Sequence, residues 1–146
     1  MFIHISSHKQ TTIRLKKLLY KICVKNGKYH RIHAPALIVY ADIGQIEYKA
    51  WYRDGKTYRH GDAPAIIGYF DDGQLRHEAW CKNGNFHRIG GPSVVKYHEN
   101  GKIQSKSWYE DEIVHRSDGP AILEYFENGQ LQNEMWYRNG NRLSSI

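Results

Sequence analysis

Apolar and polar side chains alternate with period two along most of the chain. Following each proline is a short run in which every second residue is apolar or aromatic: Ala65, Ile67 and Tyr69 share one side, as do Ala121, Leu123 and Tyr125. A second run follows a glycine some residues later. Leu75, His77, Ala79 and Cys81 fall on one side there, with Arg76, Glu78 and Trp80 on the other; Leu131, Asn133, Met135 and Tyr137 stand in the same way against Gln132, Glu134 and Trp136. Period two predicts strands, and no segment inside this region offers a sustained helical stripe. Between the two runs lie Asp71-Asp72-Gly73, Glu99-Asn100-Gly101 and Glu127-Asn128-Gly129, with Asp42-Ile43-Gly44 as a weaker version. Asp-Gly and Asn-Gly supply positive φ at little steric cost, so these segments are predicted hairpin turns.

The runs repeat. The prolines are Pro35, Pro64, Pro92 and Pro120, spaced 29, 28 and 28 residues. Tyr40, Tyr69, Tyr97 and Tyr125 follow in fixed phase, then Gly44, Gly73, Gly101 and Gly129, then Trp51, Trp80, Trp108 and Trp136, which are all of the tryptophans. The unit reads W-Y-x-N-G-x-x-H-R-x-x-G-P-A-x-x-x-Y-x-E-N-G-Q-L-x-x-x-x-W. An isolated two-stranded hairpin is marginal in water, whereas stacked repeats stabilise one another through neighbour interfaces. The expected fold is therefore all-β: a single elongated, twisted antiparallel sheet or β-solenoid of about four 28-residue hairpin repeats. Residues 1–17 form a basic N-terminal segment with at most a short strand near Phe2–Ile5, residues 18–141 the array, and 142–146 a tail. Strand edges near Leu18–Val24 and Leu131–Tyr137 are expected to be unpaired unless capped, which suits sheet-edge or head-to-tail self-association.

Composition narrows the function classes. The longest apolar stretch, Ala34–Ala41, is eight residues, far short of the about 20 a spanning helix needs. No apolar run follows the first residues, so the expectation is an intracellular protein, neither secreted nor transmembrane. Two cysteines exclude a disulfide framework or a four-cysteine zinc site. Cys23 takes a Trp slot and Cys81 a Tyr slot; both read as small buried substitutes in a reducing compartment.

The net charge of +6 is unevenly spread: residues 1–41 hold eight Lys and Arg and no carboxylate, while eight acids lie between Glu99 and Glu134. Such a dipole steers acidic partners, phosphate backbones or anionic membranes, although a basic end can also be no more than a solvated face. An acid-free basic start also has transit-peptide composition, against which part of it fits the repeat. Lys9, Arg14, Lys16, Lys17, Lys21 and Arg31 are the candidate binding residues at this end.

His30-Arg31, Tyr58-Arg59, His87-Arg88 and His115-Arg116 recur just after the turn positions Gly27, Gly55, Gly84 and Glu112. Histidines on successive hairpins lie roughly 10 Å apart, two strand spacings, whereas zinc gathers its ligands at about 2.0–2.3 Å, so no metal site is expected. Arg59, Arg88 and Arg116 have two readings: a ladder for acidic groups or phosphates, or loop braces pairing with neighbouring backbone, Asp62 or Asp118. The tryptophans are read first as a structural ladder stacked under cationic stems and second as an exposed aromatic platform; Tyr40, Tyr69, Tyr97 and Tyr125 belong to the same ladder. No nucleophile elbow, zinc-protease motif or phosphate loop occurs. The chain is expected to be no enzyme, with no cofactor and no small-molecule substrate.

Trp51-Tyr52-Arg53-Asp54-Gly55, Trp136-Tyr137-Arg138-Asn139-Gly140 and His115-Arg116-Ser117-Asp118-Gly119-Pro120-Ala121 resemble the repeats of MORN-like proteins. These are found in tailed phages, in large DNA viruses of amoebae and in bacteria. The resemblance covers residues 18–141 and implies a β-hairpin repeat scaffold that binds a protein partner, with a viral or phage setting. The unit here is longer than the standard MORN unit and poorer in glycine, so the lipid binding ascribed to some MORN arrays is not carried over. Nucleic-acid or anionic-membrane binding through the basic end stands as the alternative.

Overall fold

The structure, a computed structural model, describes residues 9–15, 18–41 and 44–143. The predicted strand at Phe2–Ile5, the candidates Lys16 and Lys17 and the tip of the tail lie outside the described residues. The fold is all-β. Strand β1 (Lys9–Leu15) pairs with β2 (Leu18–Lys25), which turns back into β3 (Lys28–Tyr29). The next repeat supplies β4 (Leu37–Tyr40) and β5 (Ile46–Ala50), then a short pair, β6 (Tyr52–Arg53) and β7 (Lys56–Thr57). The plan recurs as β8 (Ile66–Tyr69), β9 (Leu75–Ala79), β10 (Cys81–Lys82) and β11 (Asn85–Phe86). It recurs again as β12 (Val94–Tyr97), β13 (Ile103–Ser107), β14 (Tyr109–Glu110) and β15 (Ile113–Val114). The last copy is β16 (Ile122–Tyr125), β17 (Leu131–Met135), β18 (Tyr137–Arg138) and β19 (Asn141–Arg142). Among the described residues the long strands form one antiparallel meander in chain order, from β1 at one edge to β17 at the other.

Two features depart from the sequence reading. The Leu18–Val24 edge is not open: β1 covers β2 over seven paired positions, Lys9↔Val24 to Leu15↔Leu18, so the sheet begins one strand earlier than the repeat frame implies. The run through each tryptophan is also not one strand. Ala79 and Trp80 are both buried, as are Ala50 and Trp51, and consecutive buried residues cannot share one face of a pleated strand. The chain leaves the long sheet at the indole and forms a separate two-stranded sheet.

Those short hairpins turn at Asp54-Gly55, Asn83-Gly84, Asp111-Glu112 and Asn139-Gly140, each with positive φ at both central residues, as does Asn26-Gly27. This is the geometry that tight two-residue hairpins favour. Glu112 is the exception in chemistry, holding φ 71° without being glycine; its carboxylate accepts the Phe86 N–H at 2.6 Å, a tie to the preceding repeat that a glycine lacks. The long hairpins turn at the predicted Asp-Gly and Asn-Gly positions, where Gly73 N–H donates to Phe70 C=O at 2.9 Å and Gly101 N–H to His98 C=O at 2.9 Å.

The buried positions are mostly small. Ala36, Ala50, Ala65, Ala79, Ser93 and Ala121 form a line with Cys23, Trp51 and Trp80 where long sheet and short hairpins meet. Their backbones bond on both sides: Ala65 N–H donates to Ala79 C=O, and Trp51 N–H to Ala65 C=O, both at 2.8 Å. Among the described residues no helix is long and apolar enough to cross a membrane.

One position breaks the pattern of its equivalents. Gly68 takes the place held by Val39, Lys96 and Glu124, and a Cβ there would collide with the imidazole of His77 directly opposite. That ring also lies 6.3 Å from the Tyr48 ring. Burial, together with the charges of Arg76 and Lys96, lowers the His77 pKa below 6.5. A histidine depressed in the folded state contributes stability that is complete above pH 6.5 and lost as pH falls toward the folded value. Gly68→Ala is expected to cost about 1–3 kcal/mol in urea unfolding. His77→Ser, matching the equivalent Ser105, should recover most of that loss in the double variant and flatten the decline in stability below pH 6.5.

Candidate interaction surfaces

The recurrent His-Arg pairs do two separate jobs. The histidine reaches forward to the tight turn of the next short hairpin. His30 Nδ1 lies 2.8 Å from Asp54 Oδ1 and 3.2 Å from Asp54 N; His115 Nδ1 accepts the Asn139 N–H at 3.1 Å; His87 Nδ1 is 3.7 Å from Asp111 Oδ1. The arginine folds back on its own repeat. Arg59 lies 3.8 Å from the Trp51 ring centre, Arg88 3.9 Å from Trp80 and Arg116 4.1 Å from Trp108. Arg59 and Arg116 also donate to the carbonyls of Pro64 and Pro120, tying the H-R-x-x-G-P loop shut. Arg88 makes a two-pronged contact with Asp62 of the preceding repeat at 2.9 and 2.8 Å, and Arg116 bonds Asp118 at 2.9 Å. The partners of the indoles are thus these loop arginines and not Arg76 or Lys106 on the neighbouring strands.

The first and last Trp slots differ. In the first copy Cys23 replaces the indole, and Arg31 is exposed, its N–H bonded to Tyr52 C=O. In the last, the residue eight positions after Trp136 is Ser144, not arginine. Trp136 is 41% exposed, against 8% for Trp51 and 9% for Trp80.

The tyrosines form a second ladder. Each sits beside a charged residue two positions before the preceding Trp slot. Lys21 lies 5.1 Å from the Tyr40 ring, Lys49 5.2 Å from Tyr69 and Lys106 5.7 Å from Tyr125. In the third interval the charge is Glu78, and Tyr97 donates its hydroxyl to it at 2.8 Å; burial and this carboxylate push the phenol up to about 12. The fifth member of the charged series is Glu134, exposed on β17. The series was visible in the sequence as a charge two residues before every Trp slot, a phase the proline-to-tryptophan register leaves unremarked.

The short hairpins stack on one another. Tyr29 and Tyr52 rings are 5.2 Å apart and Phe86 and Tyr109 rings 5.6 Å apart. Gly55 N–H donates to Tyr29 C=O, Gly84 to Thr57 and Gly140 to Val114. Cys81, half-buried and a free thiol, belongs to this row; burial pushes its pKa up. Cys23 is a buried free thiol.

At the basic end, Lys9, Lys21, Lys28 and Arg31 are exposed on and beside β1 and β2, and Arg14 lies on β1 opposite Leu19 in the register. At the other end a groove of about 350 Å³ runs along β17, lined by Leu131–Trp136, Arg142 and Leu143. Among the described residues no group of three or more His, Cys, Asp or Glu is placed to hold a metal ion.

Hydrogen bonds from Arg88 and Arg116 hold the carboxyls of Asp62 and Asp118 below their ordinary 3.8. Carboxylates depressed by folding contribute stability that is present above pH 3.8 and lost as pH falls through the folded values. Arg88→Ala is expected to remove the Asp62 share of this acid sensitivity in thermal melts taken across pH, and to lose the Trp80 stack, worth about 0.5–2 kcal/mol at neutral pH. Arg88→Lys should recover only part, because an ammonium offers neither the fork nor the plane. Comparison with protein-family models, curated proteins and solved structures finds no match to this chain.

Proposed function

We propose that this protein is a non-enzymatic repeat scaffold that binds another protein through the β17 end of its sheet. The observation that carries the reading is the state of that end. β17 has a paired strand on one side only among the described residues, and beside it Trp136, Leu131 and Leu143 are exposed. Inside the array the same positions are covered: the equivalent indoles lie under arginines, and the equivalent strand edges are hydrogen-bonded to the next repeat. A strand edge flanked by apolar side chains is the surface to which an extended segment adds by main-chain pairing. The recurrent side chains support this from the other direction, since His and Tyr are engaged with the neighbouring repeat and Arg and Trp mainly with each other within one repeat. The resemblance to MORN-like repeats agrees with a scaffold role.

The basic end supports a second reading, nucleic-acid or anionic-membrane binding. Lys9, Lys21, Lys28 and Arg31 are each exposed at that end, and exposed cations of this kind bind phosphates with strong salt dependence.

Cross-linking and mass spectrometry of the chain captured from its native host test the first reading. Partner cross-links are expected within Leu131–Leu143, and Glu134→Pro, which obstructs the free side of β17, should remove them. Cross-links concentrated on Lys9–Arg31 and insensitive to Glu134→Pro would replace it with the second.

A further inference from the structure

We infer that the β17 edge takes the β1 edge of a second copy of this chain, so that copies join head to tail with the repeat register running on across the junction. This rests on reading β17 as a protein-binding edge and names the partner.

The register carries the argument. The hairpin β1–β2 is a worn copy of the repeat hairpin: Thr12↔Lys21 and Ile13↔Tyr20 match Ile38↔Lys49 and Val39↔Tyr48. Thr12 therefore stands where Ile38, Ile67, Val95 and Leu123 stand, and Arg14 where Tyr40, Tyr69, Tyr97 and Tyr125 stand. Each of those strands docks on the strand before it in one way, as in Lys21↔Ile38, Lys49↔Ile67, Val95↔Glu78 and Lys106↔Leu123. Continued once more, the rule sets Glu134 opposite Thr12 of the next copy, with Arg14 of that copy at the tyrosine position beside it.

Backbone and charge both fit. Met135 C=O bonds inward to Ala121 N–H, so by ladder alternation the N–H and C=O of Glu134 and the N–H of Trp136 point away from β16. Cys23 N–H bonds to Ala36 C=O, so Lys21 and Cys23 face β4, while Tyr20 and Ile22 face β1. The main-chain groups of Gln10, Thr12 and Arg14 are then directed away from β2. Trp136 N–H meets Gln10 C=O in the docked copy, as Trp108 N–H meets Ala121 C=O at 2.9 Å inside the array. At the charged position the inner steps use Lys with Tyr or Glu with Tyr; the junction uses Glu134 with Arg14. The last repeat adds Glu124 and Glu127, against a first 41 residues with no carboxylate. Because the two surfaces differ and the sheet is not closed, the contact is heterologous and propagates to open chains of copies instead of stopping at a dimer.

Light scattering on the 146-residue chain over a range of concentrations, at low and high salt, tests this. The expected result is a mass that grows past dimer with concentration and falls with salt. Glu134→Lys and Arg14→Glu are each expected to weaken association about tenfold or more by placing like charges together. An equimolar mixture of the two variants should associate again, because each junction then pairs opposite charges. A wild-type chain that stays monomeric throughout, association unchanged by Glu134→Lys, or a mixture that stays apart would overturn the inference; thermal melts establish that the variants fold. If the chain is monomeric while other proteins still cross-link to Leu131–Leu143, this inference fails and the protein-binding edge stands; if neither occurs, both fail.

Discussion

The junction at Trp51, Trp80 and Trp108 is the constraint on which the structure depends. There the chain leaves the long sheet, and three bonds meet. The Trp N–H goes to the C=O of the small residue after the next proline. The Trp C=O receives the N–H of the His or Tyr that opens the loop. The indole lies under the arginine that follows. Two backbones and a large ring come together at one place, so the flanking positions must be small, and Ala50, Ala65 and Ala121 are fully buried. Burial of apolar area alone would favour larger residues there; backbone pairing on both sides excludes them. Stability is thus distributed along the array as a series of neighbour steps and is not held in one centre.

Much of this was legible in the sequence. Four prolines and four tryptophans in fixed phase imply repeated hairpins, and period-two alternation with Asp-Gly and Asn-Gly turns implies antiparallel strands. The second hairpin of each repeat was not legible, because its strands are two residues long and too short to show alternation. Its signals were the Asp54-Gly55 and Asn83-Gly84 pairs, which supply two successive positive-φ residues. β1 escaped for a different reason. Its polar run Lys9-Gln10-Thr11-Thr12 carries none of the repeat's marker residues, and only pairing with β2 reveals it as a strand.

The partners of the recurrent side chains were half legible. Arginine and tryptophan could be matched by their constant separation, but a histidine that contacts the next turn 24 residues away, as His30 does with Asp54, leaves no local trace. The same holds for Tyr97 and Glu78, which meet across neighbouring strands from 19 residues apart. There the repeat swaps a lysine beneath a ring for a carboxylate accepting a hydroxyl, so the geometry persists while the chemistry changes. That tolerance shows what the position requires: a long side chain that covers the tyrosine and carries a polar end, of either sign.

A repeat array whose recurrent groups mostly contact one another leaves its distinctive chemistry at the places where the repeat is interrupted. One interruption is at Gly68 and His77, where a missing side chain admits a ring. Another is Glu112, where a strained turn gives a bond to the previous hairpin. The third is the pair of edges. At one, the tyrosine position is filled by Arg14 and the strand is polar; at the other, an indole lacks its arginine and Glu134 lacks its tyrosine. An edge meant only to be solvated is blunted by charge, proline or a bulge turned outward. β17 exposes Leu131 with the polar Gln132, Asn133 and Glu134, and Trp136 is exposed just beyond its end. In the junction we infer, that surface meets the opposite edge of a second copy through the same backbone pairing that holds the repeats together.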